Sequence, residues 1–121
     1  MRILLIGLGG FFGSILRYGM SSFVQSAAGV AFPVGTLLVN VLGCFAIGLL
    51  SGVSEARGLL SPEARALLAV GLLGGFTTFS AFANETLTAW RDGAGLVAAA
   101  NVLVTVAACL AAAWAGRGLV G

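Results

Sequence analysis

Charge is what this sequence has least of. Only 8% of its 121 residues are charged, and histidine and lysine are absent altogether, whereas an ordinary soluble domain carries roughly a quarter charged residues. The stretches Tyr18 to Ser54 and Gly93 to Gly116 hold no charged side chain, so a water-soluble surface is excluded and lipid must cover much of the chain. Without histidine or lysine, and with no nucleophile and base motif or cofactor fingerprint, an enzyme is the least favoured class. Six arginines and four acids, giving a net charge of +2, are too few and too dispersed for a nucleic-acid surface. There are two cysteines, Cys44 and Cys109, with no Cys-x-x-Cys and no histidine beside them. Metal and redox roles therefore lack their usual ligands, and the thiols read as small buried hydrophobes.

What is present is apolar: 60% of the residues are hydrophobic. About 20 such residues cross a bilayer as helix, so the chain divides into four spans, about 3–24, 34–53, 63–90 and 95–115, forming one transmembrane domain over 1–121. The fold class expected is an all-α, multi-pass membrane protein. Met1-Arg2 ahead of an apolar run looks superficially like a secretory signal, but Arg17 interrupts it, and it reads as the first span. Pro33 and Pro62 suit helix starts, where a missing N–H is unneeded, and Ser61 can cap the third span with Glu63 on the positive end of its dipole. Arg2, Arg57, Arg65 and Arg117 flank one side of the spans and Arg91 the other, which favours cytoplasmic termini. Trp90 and Trp114 fall near span ends, as interfacial anchors should. The 19 glycines are scattered through the apolar segments and read as close helix packing.

The third span is unlike the others. A continuous helix from Pro62 to Trp90, rising about 1.5 Å per residue, would exceed a hydrocarbon core of roughly 30 Å. Its middle reads Gly74-Gly75-Phe76-Thr77-Thr78-Phe79-Ser80, and paired glycines followed by β-branched threonines are poor helix material. A break there frees backbone carbonyls and amides at membrane depth, which is tolerated where they are buried in protein, bind an ion or line a cavity.

Four polar groupings interrupt the apolar spans. Gly9, Gly13 and Arg17 recur every four residues on one helix face; Arg17 either snorkels to the interface or lies under protein, its donors on carbonyls or an anion. Thr36 and Asn40 sit one turn apart, and Asn40 serves either as interhelical glue or as a donor to a dehydrated anion. Phe79 and Phe82, flanking Ser80, either pack or turn positive ring edges toward an anion. Asn101, Thr105 and Cys109 form a track at one-turn intervals, read equally as a donor ladder or a packing stripe. Glu85 is the one carboxylate placed inside a span, with Asn84, Thr88 and Arg91 near it, either a bonded structural acid or a gate on an anion path.

Gly10 to Tyr18, Thr36 to Gly43 and Gly74 to Phe82, taken together and in that order, resemble the CrcB/Fluc family of small dual-topology fluoride channels. The resemblance covers nearly the whole chain. It implies an antiparallel homodimer in the cell inner membrane with two fluoride pores, letting toxic fluoride leave passively, and a structural sodium ion at the dimer centre. By the same resemblance Asn40 is the pore asparagine, Phe79 and Phe82 supply the ring edges, the carbonyls of Gly74 and Thr77 hold sodium, and Thr105 and Cys109 lie on the polar track. Two positions depart from the family pattern: Ser14 stands where alanine is frequent, and Cys109, a weaker donor, where a hydroxyl is usual. The arginine bias toward one side also sits uneasily with insertion in both orientations.

The residue types suit the ion. Fluoride is small and strongly hydrated, so its water must be replaced by close donors that still let it leave. Asn40, Ser80 and Thr105 are neutral donors of that kind, while Arg17 is better placed to draw anions toward a vestibule. Two rivals remain at this level. A small multidrug exporter has the same length and span number but needs an acid in its first span, where this chain has Arg17; a purely structural subunit explains the glycines and polar stripes but gives no reason for a broken third span.

Overall fold

A computed structural model describes residues 1–120. They form helices α1 (Arg2–Ala28), α2 (Val34–Arg57), α3 (Pro62–Arg65), α4 (Gly74–Phe76), α5 (Phe79–Arg91) and α6 (Gly95–Val120), with a π-helical stretch, Ala66–Leu73, joining α3 to α4. Four segments are long and apolar enough to cross a membrane: α1, α2, the composite Pro62–Arg91, and α6. No strand occurs among the described residues. The all-α, four-span architecture expected from hydropathy is the one found.

Span ends differ from the sequence reading in one direction. The helix α1 runs to Ala28 rather than Val24, α2 to Arg57 rather than Val53, and α6 to Val120 rather than Ala115. Hydropathy marks the part of a helix that meets lipid, but the helix itself continues until something stops it. For α1 and α2 the stop is glycine: Gly29 (φ 60°) and Gly58 (φ 59°) adopt the left-handed conformation, and their amides bond back to Gln25 and Ser54, a common helix C-terminus. Pro33 precedes α2 without supplying a side-chain cap. Gln25 takes over that task from a distance, accepting the Gly35 amide at 3.0 Å while its NH₂ donates to the carbonyls of Val30 and Phe32, each at 3.0 Å. As expected, Ser61 caps α3, accepting from the Ala64 amide at 3.1 Å.

The spans pack as two parallel pairs. In the first, Gly9 of α1 lies against the backbone of Leu67, Gly71 and Leu72, and Gly13 against Leu72 and Phe76. Partner positions advance together, so α1 and the third span run in the same direction. A Cβ on Gly75 would stand 2.8 Å from the Gly10 carbonyl oxygen, so backbones here approach as only glycine permits. In the second pair Gly48 of α2 meets Ala113 of α6, and Gly52 meets Arg117 and Val120, again in parallel register. At one end of the bundle Arg117 pairs with Glu55, and Arg65 donates to Ser54, which brings three of the same-side arginines, counting Arg57, to one end. Trp90 and Trp114 stay exposed at span ends.

Candidate functional site

The break in the third span falls where the glycine and threonine run placed it, at Thr77 and Thr78. Both residues are extended, with φ/ψ of −91°/158° and −151°/118°. Thr77 closes the first half: its amide and its hydroxyl each donate to the Leu73 carbonyl at 3.0 Å. Thr78 opens the second half by accepting the Ala81 amide on its hydroxyl at 3.1 Å, as an N-cap does. One threonine ends a helix and the next begins one.

Asn40 holds this gap from α2. Its Nδ2 donates to the Thr78 carbonyl at 3.0 Å, and its Oδ1 accepts the Thr78 amide at 2.8 Å. The side-chain amide thus pairs with a peptide as another strand of backbone would, satisfying two groups that would otherwise be orphaned at membrane depth. One hydrogen of the Asn40 NH₂ is left over. One turn on, Gly43 admits the break sterically, since a Cβ there would collide with the Thr77 methyl. From the other side Arg17, half-buried, donates its Nε to the Gly75 carbonyl at 2.9 Å. Of its two readings, the structure supports the one under protein.

A cavity of about 320 Å³ opens beside the break and brings together Asn40, Phe79, Phe82, Thr105 and Cys109, with Cys44 as a further wall residue. These come from three helices and from positions up to 69 apart in the chain (40 to 109). Phe82 is buried, whereas Phe79 is 78% exposed within the protomer; their ring centroids lie 5.3 Å apart with planes inclined at 56°. No formal charge lines this space. Ser80 does not line it; its hydroxyl lies 3.2 Å from that of Thr78.

The track on α6 is wired differently from a free donor ladder. Thr105 donates its hydroxyl to Asn101 Oδ1 at 3.1 Å, Asn101 Nδ2 donates to Thr86 Oγ1 at 2.9 Å, and Thr86 donates to the Phe82 carbonyl at 2.8 Å. To offer its proton to the cavity, the Thr105 hydroxyl must rotate away from Asn101. Sequence reasoning missed Thr86 in this chain; its spacing of four from Phe82 was the available signal.

Glu85 lies apart from the cavity by the break. Its Oε2 accepts the Thr36 hydroxyl at 2.9 Å, while Oε1 is buried with no protein partner. Arg91, expected near it, is not its partner. Glu85 lines a second, polar space of about 350 Å³ with Ser21, Ser22, Gln25, Ser26 and Thr36. The serines were not singled out from the sequence because, at the end of a long apolar helix, small hydroxyl residues look like packing.

The carbonyls of Gly74 and Thr77 were the cation ligands implied by resemblance. The amide of Thr78 goes to Asn40 and that of Ala81 to the Thr78 hydroxyl, so neither returns to the carbonyl four residues before it. Both oxygens are thereby released from helical bonding, while the neighbouring Gly75 carbonyl is taken by Arg17. Neutral oxygens suit a hard cation.

Four apolar spans, a broken helix and an uncharged, mostly apolar cavity at the break define a multi-pass membrane protein with a candidate site beside the broken helix. The family model described as CrcB-like protein, Camphor Resistance (CrcB), matches residues 4–117. The chain belongs to this family. It is 46% identical over 119 residues to a protein of Shewanella sp. (strain ANA-3) named Fluoride-specific ion channel FluC, covering 98% of this chain and 95% of that one. A protein of the same name from Citrifermentans bemidjiense is 44% identical over 115 residues, with 95% and 93% covered.

Proposed function

We propose that this chain is a fluoride-selective channel through which fluoride leaves the cell passively. The observation that carries the reading is the cavity at the break, where Asn40, Phe79, Phe82 and Thr105 converge without a formal charge. An anion there meets the spare Asn40 N–H and the positive ring edges of the phenylalanines, enough to replace some of its water but without a fixed cation to trap it. A narrow aromatic constriction disfavours larger anions such as chloride. The names of the relatives support the same ion.

The finer architecture belongs to the same proposal. Phe79, exposed beside buried Phe82, needs a second wall if its ring edge is to face a confined ion, and an antiparallel second copy of the chain supplies one, giving two pathways per homodimer. The released carbonyls of Gly74 and Thr77 hold a structural sodium ion at the centre of that dimer, in a bacterial inner membrane.

The test is passive efflux from liposomes carrying the purified protein, read with a fluoride electrode and with chloride as control. Fluoride loss without chloride loss, abolished by Asn40→Asp, is the expected result. The Asp side chain keeps an acceptor for the Thr78 amide, but it removes the donors and adds a negative charge where an anion must pass. No efflux from folded protein would leave a packing subunit as the better account.

A further inference from the structure

The two cysteines, far apart in sequence, share one place in the fold. The register of α2 on α6 is fixed by Gly48 against Ala113 and Gly52 against Arg117. One turn back along both helices sets Cys44 opposite Cys109, and a further turn sets Asn40 opposite Thr105; all four line the same cavity. Both thiols are free and partly exposed. Spacing alone shows two unrelated cysteines, because the pairing depends on a parallel helix contact that joins residues 65 apart in the chain (109 minus 44).

We propose that Cys44 and Cys109 form a dithiol site for a single thiophilic, two-coordinate cation such as mercuric ion, and that its occupation blocks the cavity. Two soft ligands with no further His, Cys, Asp or Glu cluster among the described residues fall short of the four that zinc takes but match a linear d¹⁰ ion. On binding, two metal–sulfur bonds form, two S–H bonds break and two protons pass to solvent. The product is neutral, which a low-dielectric site favours over any charged complex. The blocking half of the proposal rests on the channel reading; the binding half does not.

The binding experiment uses the full-length purified protein titrated with mercuric nitrate, followed by maleimide labelling and a wash with a monothiol. One metal per chain, with both thiols lost to labelling together, is expected. Chelation should hold the metal through the wash on the order of a hundredfold longer than in Cys44→Ser or Cys109→Ser, which offer one sulfur each. Cys44→Ala and Cys109→Ala repeat the comparison should a serine variant fail to fold. Two metals per chain, or a wild-type complex stripped as fast as the single variants, overturns the site. In liposomes, mercuric ion should stop fluoride efflux, a dithiol should restore it, and each single variant, scored against its own unblocked rate, should need about tenfold more metal. Full loading with undiminished efflux overturns the block while the site stands. Absence of efflux before any metal is added sinks the channel reading instead, and the wash still decides the site.

Discussion

The two parallel helix pairs rest on the same small-residue contact and do different work with it. Between α1 and the third span, Gly9, Gly13, Gly71 and Gly75 bring backbone against backbone, and the one long-range side-chain bond is Arg17 to the Gly75 carbonyl. Between α2 and α6 the glycines occupy one half of the seam, at Gly48, Gly52 and Gly116. The other half is given over to Asn40, Cys44, Thr105 and Cys109 around a cavity. In lipid, apolar surface gains little by meeting apolar surface, so close packing and hydrogen bonds must hold helices together. The first pair uses packing throughout. The second stops packing half-way and leaves an uncharged space whose mostly apolar walls carry a few neutral polar groups.

The largest effect comes from spoiling the packed seam. A Cβ on Gly13 would collide with the Leu72 carbonyl and stand 3.0 Å from the Phe76 amide nitrogen, and both are backbone. Gly13→Ala should therefore destabilise the protein by about 3 kcal/mol, read as loss of monodisperse protein on heating in detergent. Gly7→Ala is the matched control, because nothing lies within 4 Å of its new Cβ, and the helix gains roughly 0.8 kcal/mol of propensity. Equal behaviour of the two variants would remove glycine packing as the basis of the first pair.

The second effect tests the polar half. Asn40→Leu takes away both bonds to Thr78, stranding a carbonyl and an amide at the cost of about 2 kcal/mol, and removes the spare N–H from the cavity. Thermal stability should fall by less than in Gly13→Ala, while fluoride efflux should be lost entirely. A variant that conducts normally would reduce Asn40 to a brace for the break. Thr105→Val is milder: it removes the bond to Asn101 Oδ1, costs about 1 kcal/mol and leaves Asn101 bonded to Thr86. Its efflux should be slowed but still selective for fluoride over chloride. Unchanged efflux would place α6 outside the path.

Much of this was legible because polar residues in a lipid-bound chain are few and each needs a reason. Among the described residues the buried polar side chains are Thr36, Asn40, Asn101 and Thr105, all picked out by one-turn spacing within apolar runs. The break could be read because two glycines and two threonines disfavour helix together. The π-helical turn Ala66–Leu73 could not: an unbroken apolar run, Ala-Leu-Leu-Ala-Val-Gly-Leu-Leu, carries no periodicity to separate one helical pitch from another. The partners of the polar groups were equally hidden. That Asn40 pairs with Thr78, Glu85 with Thr36 and Arg17 with Gly75 follows from how helices far apart in sequence are set against one another, and no local rule contains that.

The smallest effect sharpens the comparison from outside both seams. Arg117 and Glu55 pair at the end of the α2–α6 contact with half or more of each side chain exposed, 51% and 63%. Water competes for both groups there, and ordering two long side chains offsets what attraction remains. Arg117→Ala should change stability by no more than about 0.5 kcal/mol and leave fluoride efflux as it was. The backbone of Arg117 is a different matter, because its carbonyl and Cα are what Gly52 packs against, and alanine keeps both. A loss of stability as large as that of Thr105→Val would mean that the guanidinium, rather than the glycine contact beneath it, fixes this end of the seam.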